Sequence, residues 1–284
     1  MKILLTGANG QLGRCLQDIF PNTAEVLALG SAELDISNQA AVNAQVEQFQ
    51  PAIIINAAAY TAVDKAESEP EQAAAVNTYA PAYLASAAKK VGAKFVHVST
   101  DYVFEGNGSQ PYTEADAVYP LGVYGKTKLA GELLVQSILP EAIIIRTAWV
   151  FSEYGNNFVK TMLRLAKDRP ELGIVGDQLG CPTYAGDIAK AILSVLDNNA
   201  AGGIYHYCGD EQVTWAEFAS AIFQQAEQQG KLAAQPKVNA ITTADFPTPA
   251  KRPAYSVMST AKIGEFTTAS PWRQSLSTVL SRLD

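Results

Sequence analysis

The sequence predicts an α/β fold, a doubly wound parallel sheet followed by a smaller C-terminal α/β lobe, and three observations predict it. Short apolar runs alternate with longer helical patterns up to about residue 150. Most of those runs carry apolar residues at consecutive positions, as strands covered on both faces do. Beyond that point Gly-, Pro- and Asn-bearing stretches separate shorter helices, and the regular alternation loosens.

In chain order, Lys2–Thr6, Glu25–Leu29, Ala52–Asn56, Lys94–Ser99 and Ala142–Ala148 read as strands. Ile3-Leu4-Leu5 and Ile53-Ile54-Ile55 are the clearest, with three apolar residues in succession. Between the strands, Gln11–Phe20, Asn38–Phe49, Glu71–Val91 and Gly122–Ser137 are rich in Ala, Leu, Glu, Gln and Lys and are bounded by Gly, Pro or Asn, which suits helices. Later helices are expected at Asn157–Lys167, Gly186–Asp197 and Thr214–Gln229. The resulting division is 1–150 for a dinucleotide-binding domain and 151–284 for a substrate-binding lobe, interleaved or sharing an interface because no linker separates them. Neither an internal repeat nor a low-complexity tract is visible.

The net charge of −7 over 284 residues, with no Lys/Arg-rich run, argues against tracking a nucleic-acid backbone. Three scattered cysteines, Cys15, Cys181 and Cys208, fit neither a disulfide framework nor a CxxC site, so a reducing cytoplasmic compartment is expected. The two histidines, His97 and His206, lie far apart in apolar runs and read as packed structural residues, which leaves no His-rich metal centre. The opening MKILLTGANG breaks its apolar run too early for a signal peptide or a membrane span.

Gly7-Ala8-Asn9-Gly10-Gln11-Leu12-Gly13 directly follows the first strand and opens the first helix. Glycine permits the tight turn and the close approach of a pyrophosphate, and the helix start supplies free N–H groups and a positive dipole end. The motif therefore makes the first half a Rossmann-type dinucleotide site. Its second strand ends Leu27-Ala28-Leu29-Gly30-Ser31, without the acid that binds ribose hydroxyls and disfavours a 2′-phosphate. Arg14 follows the last glycine and can reach such a phosphate, so NADPH is the expected cofactor, with NADH as the alternative. Asp35 and Ile36 are expected near the adenine.

Tyr124 and Lys128 lie four residues apart on one helical face, after a strand ending Ser99-Thr100-Asp101. A free tyrosine, with a pKa of about 10, is a poor acid–base group at neutrality. A nearby ammonium stabilises its phenolate and brings it toward the working range, while the same lysine can hold a nicotinamide ribose. The C-terminal edge of a strand is where open α/β sheets present ligand groups, which places Thr100 beside a substrate carbonyl.

With these motifs, the run Asn56–Glu67, Ser99–Phe104, Tyr124–Glu132, Arg146–Val150, Gly155–Phe158 and Arg252-Pro253, the chain resembles the extended short-chain dehydrogenase/reductase superfamily. Within it the resemblance is to the dTDP-4-dehydrorhamnose reductase family and covers nearly the whole chain. It implies reduction of the 4-keto group of a dTDP-linked 4-keto-6-deoxy-L-hexose to dTDP-L-rhamnose, a polysaccharide precursor. Tyr124 would protonate the 4-oxygen as hydride reaches C4, with Lys128 and Thr100 assisting and Asp101 contacting the sugar. Ala59, Tyr60 and Thr61 would border the cofactor, while Val63 and Trp149 would face substrate, the indole covering an apolar sugar face. Arg252 is the candidate clamp on the substrate pyrophosphate, since a guanidinium binds phosphate oxygens as a fork. Asn156 and Asn157 are candidate substrate contacts or helix caps.

Three other readings share these motifs. A nucleotide-sugar dehydratase needs a second carboxylate beside the threonine, and Tyr102 stands where glutamate is required. An epimerase needs only reversible oxidation, and a non-catalytic regulatory subunit needs only the dinucleotide fold. Some members of the family form a dimer bridged by magnesium on carboxylates just after the glycine loop. Arg14-Cys15 stands there instead, a poor site for a hard cation, so a monomer or a dimer without a metal bridge is expected.

Overall fold

The computed structural model describes residues 1–269 and 271–283. Its centre is a six-stranded parallel sheet built from β1 (Lys2–Thr6), β2 (Glu25–Leu29), β3 (Ile53–Asn56), β4 (Lys94–Thr100), β5 (Ile143–Thr147) and a strand from much later in the chain. Helices α1 (Gln11–Ile19), α2 (Gln39–Phe49), α3 (Val63–Ala66), α4 (Pro70–Ala74), α5 (Ala80–Val91) and α6 (Val123–Ile138) fall between the strands. The consecutive apolar residues of β1 serve two cores. Ile3 and Leu5 pack with Leu12 and Leu16 of α1, whereas Leu4 packs on the opposite face with Val42 and Val46 of α2 and Leu84 of α5. Side chains of a strand alternate between faces, so a strand covered on both faces has no polar position to spare.

The expected helix 71–91 is not uniform. Between α4 and α5 the backbone passes through a π-helical turn, Ala75–Tyr79. Pro81 has no N–H for the carbonyl of Asn77, which explains why the i+4 ladder fails there. The slip turns Asn77 and Thr78 into the interior, where both are buried.

After β5 the chain forms β6 (Val150–Phe151), α7 (Phe158–Ala166), β7 (Glu171–Val175), β8 (Leu179–Gly180) and β9 (Thr183–Tyr184). It then runs through α8 (Ala185–Asp197), β10 (Gly203–His206), β11 (Val213–Thr214), α9 (Trp215–Gln228), β12 (Lys237–Ile241) and α10 (Trp272–Arg282). The six-stranded sheet has the order β10-β5-β4-β3-β1-β2, and α8 covers the same face as α1 through Ile188, Ile192 and Val195. Residue 150 therefore marks the first exit of the chain from the sheet, and α8 and β10 bring it back. A further core, around Phe151, Met162, Phe218, Phe223 and Trp272, holds α7, α9 and α10 together beside the short β7–β12 pair. Asn38 and Asn157 cap α2 and α7, and Thr214 with Glu217 closes a reciprocal cap on α9, so three of the expected helix starts are shifted inward by one residue. Among the described residues no helix is long and apolar enough to cross a membrane.

The strand order fixes where a ligand site can be. From β1 the chain moves to one side to form β2 and then crosses to the other to form β3. The loops leaving β1 and β3 thus diverge and open a crevice at the C-terminal edge of the sheet.

Candidate active site

The first wall of this crevice is the glycine loop. Gly7 leaves β1 with φ 74°, and its carbonyl accepts the Gly10 N–H at 3.0 Å. Gly10 caps α1 without a side-chain bond, no acidic residue occupies the first turn, and the first intrahelical bond is Arg14 N–H to Gly10 O at 2.9 Å. The N–H groups of Gln11, Leu12 and Gly13 therefore precede the helical ladder, and nothing on the helix neutralises their dipole end. A Cβ at Gly13 would stand 2.1 Å from the Gly7 carbonyl oxygen, so loop and helix touch only because no side chain is there. This cradle of bare backbone fits a dinucleotide pyrophosphate. Gly13→Ala is expected to weaken NADPH binding at least tenfold and to lower stability by about 1–3 kcal/mol; intrinsic-fluorescence titration and a thermal melt measure the two effects, and unchanged binding would disprove the cradle.

The second wall is the loop leaving β3. Tyr60 is held at both ends of its backbone by Asn77, with Tyr60 N–H donating to Asn77 Oδ1 at 2.9 Å and Asn77 Nδ2 donating to Tyr60 O at 3.1 Å. Asn77 also reaches Thr127 Oγ1 at 3.3 Å, so one buried amide ties the loop bearing Ala59, Tyr60 and Thr61 to α6. The Tyr60 phenol donates to Glu69 at 2.6 Å, a bond to a carboxylate that pushes its pKa up to about 12. Asn77 was invisible as a site residue in sequence, where it is one polar position in an alanine-rich helix.

Tyr124 and Lys128 stand on the first two turns of α6. The start of that helix has no side-chain cap of its own, and Glu67 supplies one from outside by accepting the Val123 N–H at 2.8 Å. On the facing edge of the sheet, Thr100 Oγ1 donates to Asp101 Oδ1 at 2.9 Å and accepts from Tyr102 N–H at 3.2 Å. Burial pushes Tyr124 up to about 12, with a hydrogen bond to Thr100 pulling the other way, and the Tyr102 ring packs edge-on at 5.4 Å. Burial also raises Asp101 to about 6 and lowers the buried Lys128 to about 8. Lys128 Nζ donates to Val98 O at 2.6 Å and lies 3.4 Å from His97 Nε2. The geometry thus joins Thr100, Asp101 and Tyr124, and burial keeps the phenol protonated.

The remaining expected residues fall into two groups. Trp149 follows β5 with φ 47°, a left-handed backbone that is strained for a large side chain, and its indole stacks on Trp215 at 3.5 Å between ring centres. Val63 opens α3 and is half-buried, and Arg14 is exposed on the first turn of α1. Arg252 is not free to wait for an anion: Nη2 and Nη1 grip the two oxygens of Asp64 at 2.8 and 3.1 Å, with Thr248 and the Ala250 carbonyl also accepting. Asn157 spends its side chain on the α7 cap and on Gln11 Oε1 (3.0 Å), Ser152 O and Tyr154 O, so it anchors the glycine loop to the second lobe. Asp35 accepts from its own Ser37 in a local turn, and Ile36 is buried in the core beneath. The acid missing from the end of β2 arrives from Glu33, whose carboxylate folds back to accept the Gly30 N–H at 2.9 Å.

The comparisons agree with this architecture along its full length. The model of the RmlD substrate binding domain matches residues 1–284. A dTDP-4-dehydrorhamnose reductase of Aggregatibacter actinomycetemcomitans is 49% identical over 98% of both chains. Among solved structures, a dTDP-4-dehydrorhamnose reductase from Clostridium acetobutylicum superposes with a TM-score of 0.93 at 43% identity over 99% of both chains. The Bacillus anthracis enzyme, solved in complex with NADP, gives 0.93 at 37% identity over 99% of this chain and 98% of its own. With the glycine cradle, the sheet-edge Thr100 and the Tyr124–Lys128 helix all in place, the chain belongs to the dTDP-4-dehydrorhamnose reductase family.

Proposed function

We propose that this protein reduces dTDP-4-dehydro-6-deoxy-L-mannose to dTDP-L-rhamnose with NADPH, NADH serving as the alternative. The observation that carries the reading is the convergence of Thr100, Asp101 and a protonated Tyr124 on the edge of the crevice that the glycine cradle opens. When bound, the nicotinamide cofactor supplies the hydride to C4. Tyr124 donates its proton to the sugar 4-oxygen as negative charge develops there, and the Thr100 hydroxyl turns its single proton from Asp101 to the same oxygen. Asp101, released by Thr100, contacts the sugar hydroxyls. Lys128 orients the nicotinamide ribose and stabilises the phenolate left behind. Gly7, Gly10, Gln11, Leu12 and Gly13 take the pyrophosphate, with Ala59, Tyr60 and Thr61 along the cofactor. The Glu33 carboxylate at the end of β2 supports use of NADH, and the exposed Arg14 supports NADPH.

On the substrate side, Val63 and Trp149 cover the sugar, and Arg252 acts on the pyrophosphate while tethered to Asp64. A guanidinium already neutralised by one carboxylate is a weaker clamp than a free one but a better-placed one. Arg252→Ala is expected to raise KM for the nucleotide sugar about tenfold, the scale of one lost charge-assisted bond, with kcat within about threefold; an unchanged KM removes Arg252 from the site. Absence of the second carboxylate that a dehydratase needs supports simple ketone reduction. Cytoplasmic localisation, a place in polysaccharide precursor synthesis and a monomer or a dimer without a metal bridge complete the reading. Incubation with dTDP-4-dehydro-6-deoxy-L-mannose and NADPH tests it: dTDP-L-rhamnose is the expected product, and an isomerised ketone or no turnover would refute it.

A further inference from the structure

We propose that Asn56 and His97 are positioning residues that present a hydrogen-bond donor to Lys128, so that the charge on this lysine depends on the charge of its surroundings in the site and is not permanent. The argument is an accounting of donors along one buried row. Thr6, Asn56 and His97 are lateral neighbours across β1, β3 and β4, and all three are buried. Asn56 Oδ1 accepts from the Thr6 hydroxyl at 2.7 Å and from the Ala58 backbone N–H at 3.1 Å. A backbone N–H can only donate, so the amide oxygen is fixed on that side and Nδ2 must face His97. Nδ2 lies 3.0 Å from His97 Nδ1, which therefore accepts. A neutral imidazole carries one proton, and it is left on Nε2, pointing at Lys128 Nζ 3.4 Å away.

An ammonium has three donors and no acceptor, so it opposes that N–H, whereas the amine accepts it and still donates to Val98 O. Turning the imidazole tautomer to welcome the ammonium would set Nδ1–H against the Asn56 amide, and turning the amide would set it against Ala58 N–H. The row therefore transmits one fixed choice, made at Ala58, to the lysine. Burial keeps His97 well below its ordinary range, so a second proton does not relieve the conflict, and the lowered Lys128 agrees with it. Of the other titratable groups around α6, Glu132, one turn further along, favours the charge on Lys128. Asp101 at the sheet edge acts on Tyr124, raising it. A phenolate formed at Tyr124, four residues away on the same helix, adds a negative charge that favours uptake of a proton from solvent by Lys128, and a phenol adds none.

This inference rests on the proposed reducing site only for its meaning; its test is made on the cofactor-free protein and is indifferent to turnover. Nitrogen NMR of labelled histidine should show His97 as the Nε2–H tautomer, and an Nδ1–H tautomer overturns the proposal. Lys128 is then titrated by its side-chain carbon and nitrogen resonances. His97→Leu removes the donor and should raise the affinity of Lys128 for its proton about tenfold, one pKa unit. His97→Gln restores a donor on Nε2 and an acceptor toward Asn56, and should titrate like the parent. Equal shifts in the two variants, or none in either, overturn the idea. Asn56→Asp provides a check that leaves the ring in place: an acceptor at both oxygens should switch His97 to Nδ1–H, and retention of Nε2–H counts against the row.

Discussion

Tyr124→Phe is expected to lower kcat about a thousandfold while leaving the affinity for NADPH within about threefold. The magnitude follows from what is removed: general acid catalysis contributes roughly a hundred- to ten-thousandfold, and the phenol here is the group held protonated beside Thr100. Phenylalanine keeps the ring that packs edge-on against Tyr102 at 5.4 Å, so the helix start and the cofactor wall stay as they are. Pre-steady-state oxidation of NADPH, with binding measured separately by fluorescence, distinguishes loss of chemistry from loss of cofactor. A fall in kcat of less than about tenfold would assign the proton to another group, and Asp101, raised to about 6, would be the next to test.

Glu132→Ala is expected to destabilise the protein by about 3–5 kcal/mol. Glu132 and Arg146 are 1% and 2% exposed, and the guanidinium meets both carboxylate oxygens at 2.7 to 3.2 Å. Arg146 also lies 5.2 Å over the Phe104 ring and 3.5 Å from His206 Nε2, neither of which can take over a full charge. Burial holds His206 near 3, so it does not add a second cation. Removing the carboxylate leaves Arg146 buried and unpaired, the expensive outcome for an internal ion pair, whereas deleting the exposed Lys65–Glu69 pair should change stability by less than about 1 kcal/mol. Denaturant melts of both variants make the comparison; a similar small loss in each would show that the buried pair is not anchoring α6 to β5.

The large features were legible in sequence because they repeat or stand in register with the chain. Unbroken apolar triplets marked β1 and β3, and a glycine run at the junction of strand and helix marked the cradle. Features that depend on where a side chain folds back were not legible. Glu33 sits after the end of β2 and reaches Gly30 only through a turn, so the acidic position looked empty. Arg252 and Asp64 are 188 residues apart, and nothing local to either announces the pair. Asn157 illustrates the converse, a polar residue in a family motif that caps its own helix and, of four hydrogen-bonding contacts, uses the one to Gln11 to join the lobes. The return of α8 and β10 to the first sheet was hidden for the same reason, since β10 is short and its partner strand ends 56 residues earlier.

His97 shows how far such reading goes. As a residue in an apolar strand it was expected to be packed and structural, and it is fully buried. Asn56, its neighbour in register, and Lys128, which reaches it from α6, turn that burial into a defined tautomer, which no periodicity could reveal.

The most direct test of the reducing role follows one atom. NADPH deuterated at C4 of the nicotinamide is incubated with dTDP-4-dehydro-6-deoxy-L-mannose, and the sugar product is read by proton NMR and mass. The expected result is dTDP-L-rhamnose carrying a single deuterium at C4, one for each NADPH oxidised. Deuterium at another carbon, or an altered sugar formed with no net oxidation of NADPH, would contradict ketone reduction at this site.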